Sequence, residues 1–285
     1  METDDRALEA RLDELDALDT VAGFSRTFYR LTTRLVTMAE EQQGIRIALA
    51  GLLDVELRYH RELSALTERQ AVGFADLQAA GERRRIGLNA VRQYATRLDG
   101  LDTLGAASRE LVLAECGYHL RRTAEVVAAL EQVVRLGVDQ SLIQFALGYN
   151  RYLLALETCT EASAGDDQLV VHDPVGFRVQ CLRAVGALED GLQGTELDGQ
   201  LYWWIGVILE AAGLTEAAQD AYDKSAGHLD PHAWADAFDA DGSRSGREDA
   251  PVPQAISDEE VWQAGQVLQG TFDPSALLGP EHDEK

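Results

Sequence analysis

The stretch Ile45–Leu66, IRIALAGLLDVELRYHRELSAL, decides the fold class. Ile45, Leu49, Leu52, Tyr59, Leu63 and Leu66 recur at steps of three, four and seven. That spacing gathers side chains on one side of a helix with 3.6 residues per turn. The same period runs outward in both directions. Leu8, Leu12, Leu15, Leu18 and Ala22 precede a break at Gly23, and Phe28, Leu31, Leu35 and Met38 precede one near Gly44. Phe74, Leu77, Leu88, Val91 and Leu98 continue the pattern to a turn over Gly100–Gly105. A helix is then expected over 108–136, with Leu113, Cys116, Leu120, Val127 and Val134, ending at Gly137, since glycine enters the left-handed cap conformation without a Cβ penalty. Another is expected over 141–164, through Leu142, Phe145, Leu147, Tyr152 and Leu156. No strand-like alternation is sustained within 1–165. The prediction is all-α, with long antiparallel helices packed as a bundle or coiled-coil-like array.

Composition narrows the setting. The 285 residues suffice for one large or two ordinary domains. Asp and Glu number 49 against 25 Lys and Arg, for a net charge of -24, and the lysines are Lys224 and Lys285 alone. Such a surface suits molar salt, where the Debye length falls to about 3 Å and self-repulsion is screened. A halophilic protein is expected. Its acidity disfavours nucleic acid as a partner, because phosphate neutralisation needs clustered cations. Arg83-Arg84-Arg85 is the densest basic run, read as a solvated helix face paired with nearby carboxylates. The start, METDDRALEAR, lacks the basic and apolar regions of a signal peptide, and the best apolar run, Leu201–Leu209, is too short to cross a bilayer. A cytoplasmic location is expected. Cys116, Cys159 and Cys181, odd in number and widely spaced, are expected to be buried free thiols.

Residues 164–173 read as a linker, and Asp173-Pro174 as a helix start with Pro at the first helical position. One helix is expected over 175–188, a loop over 191–199, and shorter helices near 200–212 and 215–226. Gly199–Pro231, GQLYWWIGVILEAAGLTEAAQDAYDKSAGHLDP, resembles a tetratricopeptide repeat. Tyr202 or Trp203 stands at the aromatic position, Ile205-Gly206 at the Leu-Gly step, Gly213 at the turn, Ala218 at the small contact and Tyr222 at the aromatic four later. Leu229-Asp230-Pro231 forms the terminator, one residue late, and Ser225 stands where Ala is commoner. Phe145–Tyr152 echoes the first helix of a repeat, with Leu147-Gly148 at the same step, but no second half follows it in sequence. The resemblance implies protein–protein docking, with Tyr202, Trp203, Gly206, Ala218 and Tyr222 at the docking module.

Residues 239–253 have the composition of a flexible linker. Beyond it Ser257 and Glu260 form a capping box and Ile256 with Val261 a hydrophobic staple, starting a short helix that presents Val261, Trp262 and Leu268. That helix either caps the helical module or serves as a docking peptide anchored by Trp262. The expected organisation is therefore a long-helix bundle over 1–165, a repeat-like module over 166–238 and a linker plus helix over 239–285.

Two Glu-x-x-x-His pairs, Glu56/His60 and Glu115/His119, lie on separate helices and raise the thought of a ferritin-like metal bundle. That family uses Glu-x-x-His, so the spacing of four departs from it, although Glu56 sits on an apolar seam that calls for an explanation. Glu40 or Glu41 could add a ligand. No phosphate loop, nucleophile elbow, HExxH or EF-hand pattern occurs, and no catalytic residue or cofactor is expected. The leading expectation is a non-catalytic scaffold docking other proteins, with self-association through the long helices. The alternatives are a metal-binding bundle and a membrane-shaping coiled coil; the latter needs Arg83, Arg84, Arg85, Arg92 and Arg97 along one face and is disfavoured by the acidity.

Overall fold

The computed structural model describes residues 2–228 apart from positions 19, 22, 40–41, 68–73, 139, 163–168 and 195–196. Among the described residues the chain is all-α, with ten helices and a single two-stranded ribbon. It divides into two compact units between Leu120 and Arg121. The sequence placed that boundary at 165/166, and the difference has a local cause. The single helix expected over 108–136 is two helices, broken where Arg121 takes a left-handed conformation (φ 54°). A non-glycine residue there costs about 1–3 kcal/mol, and no Gly or Pro marks the break in the sequence.

The first unit contains α1 (Glu2–Asp16), α2 (Gly23–Met38), α3 (Gln43–Thr67), α4 (Phe74–Thr96) and α5 (Thr103–His119). Helix α3 is the axis and packs against all four others. Its Ile45, Leu49, Leu52, Leu53 and Leu57 are buried against Leu8, Leu12 and Leu15 of α1, Val36 of α2, Leu88 and Val91 of α4, and Val112 of α5. Each such leucine stabilises the fold by about 1.5–3 kcal/mol. Arginine–carboxylate pairs fasten α1 along α3: Arg11 with Asp54 at 2.7 Å, Arg46 with Asp5 at 3.1 Å, and Arg61 with Glu14. Helices α3 and α4 approach unusually closely, since a Cβ at Gly87 would lie 2.7 Å from Val55 Cγ2. The expected turn before α5 is present, with the Asp102 carboxylate accepting from Gly105 N at 2.6 Å.

The second unit contains α6 (Thr123–Arg135), α7 (Ser141–Cys159), β1 (Thr160–Ala162), β2 (Leu169–Val171), α8 (Pro174–Asp190), α9 (Asp198–Ala211) and α10 (Thr215–His228). Each helix packs on its neighbours in sequence, with α7/α8 and α9/α10 as the tight pairs. Helix α7 was expected to run to 164. It stops at Cys159, where Thr158 and Thr160 donate their hydroxyls to the carbonyls of Leu154 and Leu156, and Thr160 turns extended. Thr160–Ala162 then pair antiparallel with Leu169–Val171, so part of the expected linker, and the end of the strand-free region, form a β-ribbon. Asp173 caps α8 through Gly176 N (2.9 Å) with Pro174 in the first turn, as the sequence predicts.

Each pair has a glycine at its close approach. Gly206 of α9 lies under the ring of Tyr222 on α10, where an added Cβ would be 2.4 Å from Tyr222 Cε1. Gly148 of α7 lies against α8, where a Cβ would be 2.6 Å from Leu188 Cγ and 2.9 Å from the Ala184 carbonyl. The helix that packs on α7 is thus α8, which follows it in the chain after the ribbon. Between α9 and α10, Gly213 is left-handed (φ 75°) and Leu214 N donates to Leu209 O at 2.9 Å, a Schellman stop. Ser225, the departure from Ala, donates to Gly199 O at 2.8 Å and ties α10 to the start of α9. Residues 229–285, including the repeat terminator and the capping-box segment, lie outside the described residues.

These crossings yield a graded expectation for alanine. Gly206→Ala and Gly148→Ala each destabilise by about 1–3 kcal/mol through overpacking, outweighing the roughly 1 kcal/mol gain in helix propensity. At Gly186 of α8 a Cβ meets nothing within 4 Å, so Gly186→Ala raises stability. Thermal unfolding of the three variants checks the order.

Candidate functional site

The carboxylate on the seam of α3 finds its explanation on α4. The guanidinium of Arg84 grips Glu56 with two hydrogen bonds, Nε to Oε1 at 2.9 Å and Nη2 to Oε2 at 2.6 Å. Glu56 is 0% exposed and the Arg84 side chain 12%. The same Nη2 donates to His119 Nδ1 at 2.8 Å, and the guanidinium carbon lies 4.2 Å from the centre of the Tyr59 ring, a cation–π contact. Because arginine only donates, His119 Nδ1 must accept, which fixes the proton on Nε2. That N–H faces Glu115 Oε1 at 2.9 Å and Tyr29 Oη at 3.2 Å. His60 closes the other side: its Nε2 is 3.5 Å from Glu56 Oε2 and its Nδ1 is 3.0 Å from the Thr20 hydroxyl.

Four helices supply this network: Tyr29 from α2, Glu56, Tyr59 and His60 from α3, Arg84 from α4, and Glu115 and His119 from α5. The close approach at Gly87 brings α4 within reach, since Val55, which Gly87 meets, precedes Glu56 in the chain. Arg84 itself falls in the buried row Ala80, Leu88, Val91 and Ala95 at helical spacing.

Burial opposes the charge on Glu56, but Arg84, then His119, and hydrogen bonds from His60 and Arg84 outweigh it and hold this carboxyl well below the usual range. Burial likewise works against the charge on Arg84, and Glu56 more than restores it. For His60, burial wins over the attraction of Glu56 and lowers its proton affinity. Burial, reinforced by Glu115 and Glu56, pushes the Tyr29 phenol well above its ordinary value. The Cys116 thiol is driven up chiefly by burial, then by the same two carboxylates, and Cys181 rises to about 11, again first through burial. All three cysteines are free and buried, as expected.

The sequence's four metal candidates, Glu56, His60, Glu115 and His119, therefore do meet. What joins Glu56 to His119 is a guanidinium. Both Glu56 oxygens and His119 Nδ1 already accept from Arg84, and among the described residues no three His, Cys, Asp or Glu side chains are disposed to hold a metal ion. Glu40 and Glu41 lie outside the described residues. The basic triplet also divides. Arg83 pairs with Glu62 and Arg85 with Glu82 at the surface, as read from the sequence, whereas Arg84 turns inward. One row of cations through Arg83, Arg84, Arg85, Arg92 and Arg97 is thus ruled out, since successive residues diverge by about 100°.

The docking residues separate by burial. Gly206 and Ala218 are buried inside the α9/α10 hairpin and present nothing to a partner, a correction to their assignment as contact residues. Tyr202, Trp203 and Tyr222 are partly exposed. Tyr202 stacks on His228 with 5.5 Å between ring centres, Trp203 meets Trp204 edge-on at 5.0 Å, and Tyr222 donates to Glu210 at 2.8 Å. Trp262 lies outside the described residues. Sequence reasoning missed Arg84, Tyr29, Tyr59 and Thr20 as members of the buried network; the buried row on α4 was the one available signal for Arg84.

Two outcomes follow from the network. Arg84→Met strands an ionised Glu56 and destabilises by about 3–5 kcal/mol, while Arg84→Met with Glu56→Leu recovers most of the loss; denaturant unfolding of the double-mutant cycle measures it. The pH response follows from the shifts of His60 and Glu56. Both groups bind protons more readily unfolded than folded, so stability falls with pH, first below about 6.5 as His60 would charge, then below about 4.5 as Glu56 would protonate. His60→Gln should flatten the upper part of that profile in urea unfolding at pH 5–8 and spare the lower. No protein-family model, curated protein or solved structure matches the chain, so its function has to be read from the two units themselves.

Proposed function

We propose that the chain is a non-catalytic docking scaffold of a high-salt cytoplasm, holding partner proteins on the helical hairpins of its second unit. The observation that carries this reading is the glycine at the close approach of each hairpin, Gly148 between α7 and α8 and Gly206 between α9 and α10. On this reading the hairpins are two tandem tetratricopeptide-like repeats, the first interrupted by the β-ribbon, and the partly exposed Tyr202 and Trp203 are the aromatic anchors a partner would bury. The first unit would serve as a rigid mount or self-association module. Its polar network supports a structural part: its charges are spent on one another, and Glu56 at its centre is fully buried. The metal-bundle alternative would require Arg84 to vacate Glu56 and His119. That no described helix is long and apolar enough to cross a membrane accords with the proposed setting.

Affinity capture in molar KCl tests the reading. Wild type should retain a stoichiometric partner that Tyr202→Ala/Trp203→Ala loses while keeping its helical far-UV spectrum. A monomer with no partner in capture and in sedimentation would sink it.

A further inference from the structure

Ten large hydrophobic side chains are strongly exposed among the described residues, and three of them share one face of α8: Val175 at 75%, Val179 at 45% and Leu182 at 46%. At 100° per residue these three and Gly186 lie within about 30° of one line that runs for about three turns. The row stays open at Gly186, where a Cβ would meet nothing within 4 Å, which leaves room for a large side chain from outside. Arginines edge the row on both sides. Arg178 and Arg183 are exposed and lie about 70° to either side of the line. Neither guanidinium has a carboxylate partner among the described residues, although Asp and Glu outnumber Lys and Arg by 49 to 25 and Arg11, Arg30, Arg61, Arg83 and Arg85 each take one. No acidic residue occurs between Asp173 and Glu189.

An apolar row between two unspent cations is complementary to one kind of surface. A second copy would set Arg178 and Arg183 against the same arginines and bring together two chains of net charge -24 each. A helix with carboxylates on both sides of its own apolar row meets both features at once. We propose that the outer face of α8 docks an acidic amphipathic helix of another protein, its apolar row against Val175, Val179 and Leu182 and its flanking carboxylates on Arg178 and Arg183. Burial of the row supplies most of the affinity, and the charges select the partner and fix its register. The two arginines are about 7.5 Å apart along the helix axis, on opposite edges, and the partner's carboxylates match that offset. This face is on a different helix from Tyr202 and Trp203, and the assignment stands or falls apart from theirs.

The probe is a fluorescein-labelled synthetic helix with leucine at its a and d positions and glutamate at its e and g positions, beside a version with lysine in place of glutamate. Like charges flank the row in each, which keeps either version from pairing with itself. Both are titrated against the full chain by fluorescence anisotropy. Because the chain's net charge attracts the lysine version everywhere, the readout is the ratio of the two Kd values, compared between wild type and Arg178→Glu/Arg183→Glu. The reversal should move that ratio about tenfold or more towards lysine, and Leu182→Asp should weaken binding of the glutamate helix about tenfold or more. All these side chains are exposed, so the variants keep the helical far-UV spectrum, and Tyr202→Ala/Trp203→Ala binds the glutamate helix as wild type does. A glutamate helix that does not bind, a ratio indifferent to the reversal, or binding indifferent to Leu182→Asp overturns the assignment. So does a wild-type dimer in sedimentation that Leu182→Asp makes monomeric, which gives the face to a second copy. Binding to anionic phospholipid vesicles that Leu182→Asp abolishes overturns it as well.

Discussion

The bidentate contact of Arg84 with Glu56 is the interaction on which the first unit turns. Burying a carboxylate at 0% exposure carries a desolvation penalty of several kcal/mol per ion, repaid only when geometry and hydrogen bonding are close to complete. Here they are. Both oxygens are met by one planar fork, His60 approaches from the same helix, and the spare guanidinium N–H continues to His119 and so to Glu115 and Tyr29. An apolar side chain at position 56 would tolerate sliding or rotation of α4 on α3. A charge that is satisfied in one arrangement does not. The leucine rows supply most of the stabilisation, and the network selects one register among the many that bury leucines equally well.

The second unit uses a different device. Its hairpins are set by absent side chains, since Gly148 and Gly206 let helices come within a distance that any Cβ would forbid. Two of its buried polar groups, Asp198 and Ser225, serve a loop and a helix end. Asp198 accepts from the backbone N–H groups of Gln193 and Gly194, and Ser225 donates to Gly199 O. Such packing is local, each helix leaning on its neighbours in sequence, so the unit can present side faces to other molecules without losing a shared core. A unit held by one central network cannot do this as freely.

Helix content was legible because periodicity is a one-dimensional signal. Leu8, Leu12, Leu15, Leu49 and Leu52 are buried where their spacing requires. What escaped detection depended on rotation or on three dimensions. Phe28 and Leu35 of the apolar row read on α2 are buried, but Met38, counted with them, is exposed, and the buried face widens instead to Ser25, Tyr29, Thr32 and Val36. The triplet Arg83–Arg85 read as one solvated face because adjacency in sequence was taken for adjacency in space. The break at Arg121 carries no glycine or proline, and the partner of α7 comes only after a ribbon whose strands are three residues each. The glutamate–histidine pairs were visible as pairs, yet the cation joining them came from a helix that pairwise spacing cannot reach.

The scarcity of lysine gains a second meaning inside the bundle. At the surface, arginine in place of lysine is a matter of hydration, and pairs such as Arg83–Glu62 and Arg85–Glu82 are weakened by added salt. At position 84 the substitution is not interchangeable. A lysine offers a single compact charge, whereas two Glu56 oxygens, one imidazole nitrogen and the face of Tyr59 require a planar, multiply donating cation. With Glu56 fully buried and Arg84 mostly so, mobile ions screen this contact much less than the surface pairs. As salt rises and the exposed pairs fade, the fixed interaction between α3, α4 and α5 keeps its strength, so the register of the first unit is governed by electrostatics in the conditions where its surface electrostatics count least.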